Sequence, residues 1–100
     1  MFPRYSIFRQ TESGEAGDLV ATISHGENGR FMHWLSGTVR SGKAVRCGTI
    51  LDDLQISRID VYNVKAGDLL DGLRDLQISR AKVAECDPGE TLRIEELERD

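Results

Sequence analysis

One hundred residues, 39% hydrophobic and 30% charged, suffice for one domain with its own core, and that balance excludes wholesale disorder. A formal net charge of −4 disfavours nucleic acid as a ligand, and two cysteines without a CxxC pair exclude a zinc ribbon or a dense disulfide framework. With no basic leader before an apolar stretch and no uncharged run of bilayer length, the expectation is a soluble, unprocessed cytoplasmic protein whose only available disulfide is Cys47–Cys86.

Charge is unevenly divided. Residues 1–48 carry six Lys or Arg against four acids, residues 49–100 seven against thirteen, so the halves stand at +2 and −6. The acidic half suits a basic protein surface.

The first half, 1–48, reads as β-rich. Residues 4–10 are β-prone and 11–17 form a polar turn region. Segments 18–25 and 30–36 flank Gly26-Glu27-Asn28-Gly29, which predicts a hairpin with Ile23 facing Met32 and Ala21 facing Trp34, the indole pointing into the core. A turn at Ser41-Gly42-Lys43 then sets Val39 opposite Val45 and leaves Arg46 toward solvent, completing an antiparallel meander.

After Gly48 the period changes. Thr49 and Asp52 resemble a capping box, and Ile50, Leu51 and Leu54 lie at helical spacing, predicting a short helix over 50–57. A strand over 59–64 and a connection at Lys65-Ala66-Gly67 follow. Asp68 is the expected N-cap of a second helix with the stripe Leu69, Leu70, Leu73 and Leu76, and a strand over 81–86 ends at Asp87-Pro88-Gly89. The acidic tail, 87–100, forms either a last strand or a short helix.

Asp-Leu-Gln-Ile-Ser-Arg occurs at 53–58 and again at 75–80. Each copy runs into a β-prone segment, so 49–86 reads as two similar helix–strand units, with Leu54 and Leu76 equivalent and their strands parallel in one sheet. The spacing Leu51-x-x-Leu54-x-Ile56 also looks like a leucine-rich-repeat core. The asparagine-ladder position, however, holds Ile59 in one copy and Ala81 in the other, and two copies do not bury a solenoid core. The fold class expected is α+β: an antiparallel N-terminal β-meander, then two helix–strand units joining the sheet in a single domain.

Chemistry-bearing patterns are sparse. Cys47, placed before the helix expected at 50, is the one residue that a helix N-terminus would activate, but its only partners as a base are His25 and His33, and a small hydrophobe at a strand end explains it better. Cys86 reads the same way. The two histidines lack further ligands at metal spacing, the glycines fit neither GxGxxG nor GxxxxGK, and Asp52-Asp53 and Glu95-Glu96 are adjacent in sequence and so diverge on a helix. No cofactor, metal or catalytic residue is expected, and no enzyme.

Two surfaces remain. Arg30, His33, Arg40, Lys43 and Arg46 around Phe31 and Trp34 imitate a basic aromatic platform for single-stranded nucleic acid. Asp68, Asp71 and Asp75, at spacings of three and four, form an acidic stripe opposite the leucines. The functional expectation is a small acidic non-enzymatic module that binds protein, of the inhibitor, immunity or antagonist kind, meeting a basic partner through Asp68, Asp71 and Asp75. A nucleic-acid-associated regulator and a Cys47-dependent enzyme are the alternatives, in that order. A membrane partner is not expected, and a homodimer is compatible with the sequence.

Overall fold

The computed structural model describes residues 3–52 and 57–99. The fold class is α+β: among the described residues five antiparallel strands form one sheet, with helices from three segments of the chain. β1 (Arg4–Gln10) and β2 (Ala16–Ile23) make the N-terminal hairpin, register shifts near Phe8 marking where the pairing is irregular. The tight turn between them is closed by Thr11, whose amide donates to the Glu15 carbonyl at 2.9 Å.

The second hairpin expected at 18–36 does not form, because the chain enters helix α1 (Gly29–Arg40). Phe31, Leu35 and Thr38 are buried at spacings of four and three, with Met32, Trp34 and Val39 half-buried beside them. This 3.6-residue stripe outweighs the β-propensity of Phe31 and Trp34, since a strand would turn half of these side chains to solvent. The Asn28 carbonyl accepts the first helical hydrogen bond, from Met32 at 2.8 Å. The predicted turn at 41–43 is present and ends the helix: Lys43 donates to the Thr38 carbonyl and Gly42 to that of Val39, with Gly42 at φ +82°. That double return bond requires a left-handed residue, which glycine supplies without steric cost.

β3 (Ala44–Asp52) and β4 (Ser57–Lys65) form another antiparallel hairpin. The short helix expected over 50–57 is corrected accordingly: 50–52 belong to β3, Ser57 opens β4, and 53–56 lie outside the described residues. Two helical turns are marginal by themselves, whereas the ladder to β4 pairs the backbone at once. Thr49 is no cap; its hydroxyl donates to Asp60 across the hairpin. Cys47 is the extra residue where the register slips between Arg46 and Gly48, and it is exposed in β3, neither before a helix nor buried.

α2 (Ala66–Gly72) takes up the expected leucine helix but begins and ends earlier: Lys65 is its N-cap, Asp68 lies in its first turn, and Ala66 and Gly67, expected as connection, are helical. Leu73 is fully buried at its end, while Leu76 is half-buried where α3 (Gln77–Ala84) begins. The strand predicted over 81–86 is therefore helix up to Ala84, with Ser79, Val83 and Cys86 on the buried side. Ala81, Lys82 and Ala84 are good helix formers, which the β-branched Val83 disguises. The duplication is overturned with it. Ser57 and Arg58 of the first copy are in a strand, Ser79 and Arg80 of the second are in a helix, and every sheet pairing is antiparallel. Leu54, the supposed equivalent of Leu76, lies outside the described residues.

The tail resolves as a strand, β5 (Thr91–Arg99), which inserts between β1 and β4 to give the order β2-β1-β5-β4-β3. The last strand thus occupies the centre of the sheet. Leu92, Ile94 and Glu96 alternate onto the face that the helices cover, in register with Val64, Tyr62 and Asp60 on one side, while Ile94 and Glu96 meet Ile7 and Tyr5 on the other. Against this face pack Phe31 and Leu35 of α1, Leu69 and Leu73 near α2, and Val83 of α3. α1 carries the chain from β2 at one edge to β3 at the other, which lays it beside α2.

Candidate functional site

α1 and α2 enclose a groove on the outer surface of the helical layer. Its walls follow from helical spacing. On α1, burial of Phe31, Leu35 and Thr38 turns Arg30, His33 and Arg40 outward, and Lys43 continues the row past the end of the helix. On α2, burial of Ala66 and Leu69 leaves Asp68 and Asp71 along the facing side. Asp75 is not on that helix, which ends at Gly72, yet the turn after it returns Asp75 to the same groove.

Asp68, Asp71 and Asp75, read from the sequence as a solvent-facing stripe, thus border one groove, and the structure adds the basic row across from them. Arg30, at the start of α1, pairs with Asp75 at 3.0 Å; Arg40 and Lys43, at its far end, border the same cavity as Asp68. The two rows therefore lie side by side and run in opposite chain directions. Arg30–Asp75 is the one ion pair bridging them among the described residues, and with side chains 85% and 50% exposed it contributes little to stability. Two contiguous cavities, of about 560 and 530 Å³, occupy the space between the rows. Trp34 and His33 line both. The indole is half-buried and tilted on Phe31, whose ring meets Tyr5 edge-on at 4.8 Å, so it is tied to the sheet through two aromatic contacts.

A second polar cluster lies beneath α1, on the covered face of the sheet. Glu96 is buried and accepts hydrogen bonds from the Tyr62 hydroxyl at 2.8 Å and the Tyr5 hydroxyl at 3.2 Å. Asp60, opposite it on β4 and also buried, pairs with Arg46 at 2.7 Å and accepts from Thr49. Arg46 remains exposed, as the sequence reading has it, while its guanidinium reaches back to Asp60. Burial, followed by the hydrogen bond to Glu96 and its charge, pushes the Tyr62 hydroxyl well above its ordinary pKa. The hydrogen bond from Arg46 to Asp60, with the carboxylate's charge, raises the guanidinium's pKa as well. Met32, Leu35 and Val39 roof the neighbouring cavity of about 290 Å³. Sequence reasoning missed this cluster, because its members come from four strands; the only signal was a carboxylate at an inward position of the alternation of β5.

Both thiols are free, Cys47 exposed and Cys86 buried. Among the described residues no group of three or more His, Cys, Asp or Glu converges to hold a metal ion, and no helix is long and apolar enough to cross a membrane. Compared with protein-family models, curated proteins and solved structures, the chain matches none.

Proposed function

We propose that this protein is a non-enzymatic protein-binding module of the small acidic inhibitor or antagonist kind, and that it meets its partner along the α1–α2 groove. One observation carries this reading: Asp68 and Asp71 face Arg40 and Lys43 across an open groove without an ion pair between the rows there, among the described residues. Charges held apart in this way retain their capacity to steer a charged partner, and Trp34 between them supplies the apolar, rigid contact that interfaces favour. The Tyr5–Tyr62–Glu96 and Arg46–Thr49–Asp60 bonds fit a structural role, since each buried carboxylate is met by at least two donors among the described residues.

The alternatives draw less support. Residues 30–40 form a helix, so a β-platform for single-stranded nucleic acid is not available there, and the acidic row beside the basic one opposes phosphate. A Cys47-dependent enzyme loses the helix start that was to activate the thiol.

Capture from the native host followed by mass spectrometry identifies the partner, and association kinetics at two ionic strengths test the site. Replacing Asp68, Asp71 and Asp75 together with Asn should slow association about tenfold at low salt, a difference that shrinks at high salt. Equal rates for a well-folded triple variant would remove the acidic row from the interface.

A further inference from the structure

Resting on the reading of the groove as a protein-binding surface, we infer that the partner it fits is a second copy of this chain. The argument is one of symmetry. A basic row (Arg30, His33, Arg40, Lys43) and an acidic row (Asp68, Asp71, Asp75) lie side by side on one face. A two-fold axis running along the groove exchanges left and right but preserves position along the groove. It therefore lays the basic row of each copy on the acidic row of the other, at the same level: Arg40 and Lys43 opposite Asp68, His33 opposite Asp71, Arg30 opposite Asp75. Such an isologous contact sets Arg40 and Lys43 against Asp68 twice, and Arg74, which also borders the acidic wall, lies between Asp71 and Asp75 there, whereas a partner of single charge sign meets its complement on only one of the two walls.

The centre of the face fits as well. Trp34 borders both cavities, hence the middle of the groove, and the two-fold axis brings the Trp34 residues of the two copies together there. An aromatic anchor enclosed by charged pairs is the arrangement in which interface energy concentrates. Within a single chain Arg30 reaches across to Asp75, but toward Arg40 and Lys43 the rows do not close on each other, because the indole stands between α1 and α2 against Gly72.

Sedimentation velocity on the full chain tests this, with the fluorescence of the only tryptophan as a local report. At low salt the wild type should dimerise with a Kd of about 1–100 µM, weakening about tenfold or more in about 0.5 M salt, with Trp34 emission shifting to the blue on association. Asp68→Lys with Asp71→Lys in one chain, or Arg40→Glu with Lys43→Glu in another, should each weaken self-association at least about thirtyfold, and mixing the two should restore dimers to within about tenfold of the wild type. Should a double variant fold poorly by circular dichroism, the single reversals Asp71→Lys and His33→Glu form an equivalent mixing pair. A wild type still monomeric at about 1 mM in low salt overturns the inference, as does a dimer indifferent to the reversals or a mixture that does not associate. If the chain is monomeric while the triple Asn variant loses a captured host protein, the groove remains a binding surface and only the second copy is rejected. If neither effect appears, both readings fall.

Discussion

A Cβ placed on Gly72 would stand 2.4 Å from both Cδ2 and Cε3 of Trp34, so the indole of α1 rests directly on the backbone of α2. This contact sets the width of the charged groove. Gly72→Ala should cost about 1–3 kcal/mol through overpacking, offsetting the gain in helix propensity, and should shift Trp34 emission to the red. Urea denaturation followed by that fluorescence measures both; an unchanged midpoint would mean that the ring swings aside freely.

Leu73 and Leu76 were expected as equal members of one buried stripe, and the structure separates them. Leu73 is completely buried, so Leu73→Ala should cost about 2–5 kcal/mol. Leu76 is half-buried at the start of α3, and the same change there should cost about 1–2 kcal/mol. Equal losses would place the two on one face again.

The Tyr62 hydroxyl donates to buried Glu96, and Tyr62→Phe should cost about 1–2 kcal/mol near neutral pH, since the carboxylate loses a donor that water does not readily replace. The pH dependence has a definite sign. Folding raises the pKa of this phenol above its ordinary 10.0, so the native state holds the proton more tightly than the unfolded chain. Its contribution is fully present below that value and is lost as pH rises through the higher folded value. Stability measured above pH 10 should therefore fall more steeply in the wild type than in Tyr62→Phe; parallel curves would show that the folded phenol titrates as it does in the unfolded chain.

Under native conditions a thiol reagent should modify Cys47 quickly and spare Cys86, which is only 8% exposed, with the second thiol reacting on unfolding. Mass spectrometry of the peptides assigns the sites. Modification of both at one rate would contradict the burial of Cys86 behind α3.

The elements read correctly from the sequence are those whose signals are local. The β-prone run over 4–10, the polar turn after it, the turn at 41–43 and the leucines of α2 each depend on neighbours a few residues away, although that turn ends a helix and does not set Val39 opposite Val45. The strands expected over 30–36 and 81–86 are instead helix, the second as far as Ala84, because short apolar runs with aromatic or β-branched residues satisfy both periods, and burial of one helical stripe chooses between them. The hexapeptide at 53–58 and 75–80 shows the limit of local information: its Ser-Arg ends a copy in β4 and a copy in α3, as the surroundings require.

The sequence by itself determined the α+β class, the N-terminal hairpin and the three aspartates as a surface set, because periodicity and turn chemistry act over a few residues. Only the tertiary structure decided what faces those aspartates. β5 takes the central place between β1 and β4, and α1 spans the sheet from β2 to β3, so residues as far apart in sequence as Arg30 and Asp75 come to border one groove and pair there. The same closure brings Tyr5, Asp60, Tyr62 and Glu96 onto one covered face. Pairings at that separation follow from which surfaces bury together, and burial is a property of the assembled sheet and helices that no local pattern encodes.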